Sequence, residues 1–100
     1  MIKHIVMFKL KENAEGGTAE ENAAKCSQIL MNLPSRIDFI RSMEVGINYK
    51  ASARALDLVL IAEFDTKEDL ESYIIHPAHV AAADFIMKVR NDAYSVDYEV

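Results

Sequence analysis

Three residues able to donate or accept protons crowd one short segment, Tyr73-Ile74-Ile75-His76-Pro77-Ala78-His79. Proline fixes its own φ and pushes the residue before it out of helical backbone. A helix reaching Ile75 is therefore expected to stop near His76, and a second to begin with Pro77 as its first residue. His76 then sits at the cap. His79 becomes the third residue of the new helix, and Ala82, Ala83, Ile86 and Val89 follow it at three-four spacing, which places the imidazole on an apolar, core-facing stripe. The positive end of a helix dipole disfavours an imidazolium, so a neutral, proton-accepting His79 is expected near pH 7. Metal binding is the competing chemistry, with His76, His79 and His4 as three nitrogen ligands and one open position. The proline break works against convergence of their rings, and no metal or cofactor is expected.

The elements that must position these residues follow from hydropathy. Residues 2 to 10 alternate, with Ile2, His4, Val6, Phe8 and Leu10 on one face and Lys3, Ile5, Met7 and Lys9 on the other, which predicts a strand. His4 is the only polar member of its face. After a loop carrying Gly16-Gly17, Thr18-Ala19-Glu20-Glu21 is a capping box for a helix with the stripe Ala19, Ala23, Cys26, Leu30, Leu33, ended by Pro34. A second strand is expected from Ile37 to Ile47, and a third from Leu56 to Phe64 with Val59 and Ile61 on its other side. Thr66-Lys67-Glu68-Asp69 starts a short helix turning Leu70, Tyr73 and Ile74 inward. The broken helix then runs from Pro77 to about Val89, with Asp84 and Lys88 four apart as an ion pair. In the last strand Tyr94, Val96, Tyr98 and Val100 oppose Ala93, Ser95, Asp97 and Glu99. Which of those two faces meets the helices is open. The order β-α-β-β-α-β specifies an α+β, ferredoxin-like fold with an antiparallel four-stranded sheet.

One hundred residues make one domain, and the net charge of −5 comes with scattered Lys and Arg. No basic stripe follows a phosphate backbone, so nucleic acid is not an expected partner. The apolar runs Ile5–Phe8 and Leu58–Ala62 are far too short to span a membrane, and the chain enters a strand pattern at once, so a soluble cytoplasmic protein is expected. The single Cys26 cannot form an internal disulfide and reads as small core filler. Helices can cover only one face of the sheet, yet Ile5, Met7, Val59 and Ile61 make the other face apolar as well. A second sheet is expected to cover it, most simply in a symmetric homodimer closing toward a barrel.

The chain resembles the stress-responsive dimeric α/β-barrel (Dabb) family over essentially its whole length. The residues carrying the resemblance are Lys3-His4-Ile5-Val6-Met7-Phe8-Lys9, Ala62-Glu63-Phe64 before a helix, His76-Pro77-Ala78-His79-Val80, and Val96-Asp97-Tyr98. It implies one domain over residues 1–100 and a dimeric barrel. The histidine-proline segment is most similar to that of plant polyketide cyclases of the olivetolic acid type, which close a ring by an intramolecular aldol reaction without cofactor or metal. That likeness implies His79 as the base, Asp97 as its acidic partner, Tyr73 as a pocket tyrosine and His4 as a second polar group. Cys26 stands where those cyclases carry a tyrosine and Leu58 where they carry a histidine, so their substrate does not carry over.

On this reading His79 removes a proton from a hydrophobic carbonyl compound and Asp97 holds it in one tautomer. Tyr73 and His4 donate to the oxygen that becomes anionic. Two readings of other classes stand beside it. One is a non-catalytic stress-protective or small-molecule-binding oligomer in which these residues are structural. The other is a cofactor-independent oxygenase, chemistry that related ferredoxin-like dimers perform.

Overall fold

Strand β1, Ile2–Leu10, is central to the sheet because it is flanked on both sides by antiparallel partners. Our computed structural model describes residues 1–100, and the strand order is β4-β5-β1-β6, with β4 at Ser42–Ile47, β5 at Leu58–Phe64 and β6 at Arg90–Glu99. Ile2, His4, Val6 and Phe8 of β1 meet Phe64, Ala62, Leu60 and Leu58 of β5 in register. This face is covered by α1, Ala19–Met31, α2, Lys67–Ile75, and α3, Pro77–Val89. The core lies between them and includes Ile2, Phe8, Leu10, Leu30, Leu60, Phe64, Tyr73, Ile86 and Val89. The ferredoxin-like α+β arrangement expected from the sequence is the one found.

Helix starts follow the expected chemistry. Thr18 and Glu21 form a complete capping box on α1, and exposed Glu21 is held below the usual carboxylate range mainly by its bond to the Thr18 backbone. Thr66 caps α2 by accepting from the Asp69 N–H. At the break, α2 ends at Ile75, His76 takes extended backbone with φ −62° and ψ 136°, and Pro77 opens α3. His76 accepts the Ala78 N–H on Nδ1 at 3.0 Å, so it caps α3 with its own ring.

Three local expectations need correction. The strand expected from Ile37 begins only at Ser42, because Leu33–Ser35 forms a 3-10 turn and the Leu33 carbonyl accepts from both Arg36 and Ile37 at 2.9 Å. Ile37 and Ile40 are buried from this irregular segment, so their apolar spacing reflects burial without a ladder. The glycine loop contains a small hairpin, β2, Asn13–Ala14, and β3, Gly17–Thr18, turned at Glu15 and Gly16 with φ of 48° and 76°. Both left-handed residues fit the tight primed turn that matches strand twist. Finally, Asp84 and Lys88 make no ion pair; the ion pairs present are His4–Asp97, Lys9–Asp57, Arg41–Asp65 and Lys67–Glu99.

Candidate acid-base site

Register between the first and last strands decides what surrounds the histidines. In the β1–β6 ladder His4 lies opposite Asp97, Val6 opposite Ser95, Phe8 opposite Ala93 and Leu10 opposite Arg90. Asp97, Ser95 and Ala93 therefore face the helices, and Tyr94, Val96 and Tyr98 face away. Between this stretch of sheet and α3 lies a cavity of about 310 Å³. Its wall is mainly apolar, from Val6, Phe8, Leu30, Leu60, Ile74 and Ile86, and its polar lining comes from His4, His79, Ser95 and Arg90.

His79 reaches the cavity from the first turn of α3. Its Nδ1 lies 2.9 Å from the carbonyl oxygen of Ile74 in the last turn of α2. A carbonyl can only accept, so the bond requires the proton on Nδ1 and leaves Nε2 with a free lone pair in the neutral ring. Burial is the main reason the His79 pKa falls below the ordinary histidine value. The Ile74 bond opposes that shift, while His4 and His76 reinforce it. The proline break makes this geometry possible, because it brings a carbonyl near the end of one helix beside a ring at the start of the next.

Across the cavity, nearly buried His4 bonds through Nδ1 to the carboxylate of Asp97, which is partly open to solvent. This corrects the pairing expected from the sequence. Asp97 orients His4, and a backbone carbonyl orients His79. The physical reason is the register, which makes Asp97 the cross-strand neighbour of His4.

Tyr73 is fully buried behind the two histidines and is not part of the cavity wall. Its ring centroid is 4.5 Å from that of His79, 5.0 Å from Phe64 and 6.0 Å from His4. The hydroxyl has no hydrogen-bond partner, and burial pushes its pKa up, so it stays protonated. His76 packs against Phe39 and uses Nδ1 in its cap. Nowhere do three His, Cys, Asp or Glu side chains group so as to hold a metal ion. Cys26 is fully buried, and desolvation pushes its thiol up to about 11, as suits a core filler. No helix is long and apolar enough to cross a membrane.

Ser95 and Arg90 are site residues that the sequence reading did not select. Ser95 shares the parity of Asp97 and was open to that inference once the inward face of β6 was known. Arg90 carried no local signal, because it lies at the junction where α3 passes into β6 without a loop.

Comparison with known proteins agrees with this architecture. Two curated Arabidopsis thaliana proteins, each a stress-response A/B barrel domain-containing protein, are 28% and 29% identical to the chain over 98% of its length. The chain spans only 36% and 46% of the length of those relatives. Among solved structures, a dimeric ferredoxin-like protein of unknown function from Bacteroides fragilis superposes with a TM-score of 0.87 at 32% identity, covering 99% of this chain and 95% of that one. The hydroxynitrile lyase of Passiflora edulis shares the fold with a TM-score of 0.82 at 13% identity, over 99% of this chain and 92% of that one. Residues 2–100 match the stress responsive A/B barrel domain, and the chain belongs to that family, Dabb.

Proposed function

We propose that this chain performs cofactor-free acid-base chemistry, cyclase-like or lyase-like, on a hydrophobic carbonyl compound held in the cavity between β1, β6 and α3. The observation that carries the reading is the fixed tautomer of His79: with Nδ1 committed to Ile74, the free Nε2 lone pair belongs to a ring lining an apolar cavity. A base so placed removes a proton from the carbon next to the carbonyl. His4 is the second proton-handling group. Its Nδ1–H is committed to Asp97, so Nε2 is a second lone pair in the neutral ring and serves a developing oxyanion or departing group only after it has taken up a proton. Tyr73 is assigned a positioning role behind both rings, and its partnerless hydroxyl is a donor in reserve. The same fold carries a hydroxynitrile lyase and an antibiotic biosynthesis monooxygenase, so it accommodates more than one chemistry.

The active form is a homodimer in this proposal. Met7, Tyr94 and Val96 are 40%, 54% and 51% exposed on the sheet face away from the helices, beside Ile5, Val59 and Ile61. Such a patch is unusual on a monomer, and several structural neighbours are dimeric.

The test is solvent deuterium exchange at the α-carbon of a hydrophobic β-diketone, followed by NMR. Wild-type protein accelerates the exchange, and His79→Ala lowers the acceleration by about 100-fold or more while leaving the fold intact. Full exchange activity in that variant would instead favour the second reading, a small-molecule-binding oligomer, for which the Ile74 bond is a sufficient structural reason for His79.

A further inference from the structure

The cavity is chemically one-sided along its length. From His4 to Leu10, β1 climbs about 20 Å, and β6 runs beside it in the opposite direction, so the His4–Asp97 pair and Arg90 mark opposite ends of the same wall. No acidic side chain lines the cavity, although the chain has 16 acidic residues against 11 Lys and Arg. The one permanent charge in the lining is Arg90, which is only partly exposed, and its guanidinium takes part in none of the ion pairs of the fold. Ser95 lies between the two ends and has no intramolecular hydrogen-bond partner for its hydroxyl among the side-chain bonds of β6. Between the polar ends the wall is formed by Val6, Phe8, Leu60 and Ile86.

We infer that the substrate is amphipathic and carries a carboxylate at the end remote from its reacting carbon, with Arg90 as the specificity-determining residue that binds it. A guanidinium presents paired donors that match a carboxylate, and an unpaired one at the end of an apolar cavity leaves that capacity unused. The same contact fixes direction. An acyl chain anchored at Arg90 extends along the apolar wall toward His79 and His4, where its carbonyl meets the proton-handling groups. A neutral ligand of the same length lacks this anchor and has no preferred orientation.

This inference rests on the acid-base reading for the identity of the reacting end, and binding measurements separate the two. Calorimetry with octanoate and with methyl octanoate, on wild type and Arg90→Gln, is the experiment. Wild type should bind octanoate about 10-fold or more tightly than the ester, as expected for a charge-assisted bond, and Arg90→Gln should abolish that preference without weakening the ester. Equal affinity of wild type for the two probes overturns the assignment, as does a preference that persists in Arg90→Gln or binding of neither probe. The α-exchange assay decides the acid-base reading by itself. Loss of exchange in His79→Ala with no octanoate preference leaves the base in place and removes only the anion subsite; an octanoate preference with His79-independent exchange does the reverse.

Discussion

The two faces of the sheet differ by a single step along each strand, yet they serve opposite ends. On the face under the helices, β6 places Ala93, Ser95 and Asp97; on the open face it places Tyr94, Val96 and Tyr98. A half-buried strand ordinarily turns its apolar side inward, and β6 does the reverse. The inversion is coherent once both faces are considered together. Inside, small and polar residues leave room for a cavity and give His4 a carboxylate partner. Outside, the aromatic and branched residues join Ile5, Met7, Val59 and Ile61 in a patch suited to another apolar sheet. A strand that turns polar groups toward the helices and aromatic ones away from them thus fits the proposed site on one side and the proposed interface on the other.

The contrast is broken most severely by charging the open face. Ile61→Lys should convert a dimer into a monomer at micromolar concentration by light scattering, since a lone ammonium buried in an apolar interface is strongly unfavourable. A wild-type protein that runs as a monomer would remove the interface from the comparison altogether.

On the inner face, Asp97→Asn keeps the shape of the His4 contact and removes its charge. The α-exchange rate should fall by about 10-fold, the loss of one charge-assisted hydrogen bond, with little change in dimerisation. Unchanged exchange would make the His4–Asp97 pair a structural tie.

Tyr73→Phe sharpens the account at smaller scale. Removing a buried hydroxyl that has no partner relieves an unpaired polar group, so stability in urea should stay level or rise by about 1 kcal/mol. A loss of about 1 kcal/mol or more would mean that the hydroxyl has a partner in solution.

Much of the fold was legible because its signals are local. Strand parity in β1, the capping box at Thr18 and the break at Pro77 depend on residues a few positions apart, and each is found as expected. The site was legible only in part. His79 could be placed on a helix start facing the core, since helical spacing is intrinsic to the segment. The partner of Asp97 could not, because His4 and Asp97 are 93 positions apart and meet through strand register. Nor could the Ile74 carbonyl be foreseen as a tautomer lock, because it depends on the angle at which the chain turns at His76. Ile37 and Ile40 misled for the opposite reason: apolar alternation records burial, and a 3-10 turn can bury side chains as well as a strand can.

Proton affinity carries the same asymmetry into stability. The folded pKa of His79 lies below its ordinary value of about 6.5, so the neutral ring contributes its stability in full above that value. The contribution is lost as pH falls through the folded pKa, and His79→Ala should flatten this acid-side slope in urea titrations. A slope that persists unchanged in the variant would assign it to another group.

The central claim is that His79 stands neutral at pH 7 with its proton on Nδ1 and Nε2 bare. A long-range proton–nitrogen correlation spectrum of uniformly labelled protein reads this directly, with His79→Ala supplying the assignment. The account predicts a protonated-type Nδ1 signal and an unprotonated-type Nε2 signal at pH 7, converging only below the ordinary histidine pKa. A ring protonated on Nε2, or an imidazolium still present at pH 7, would contradict it.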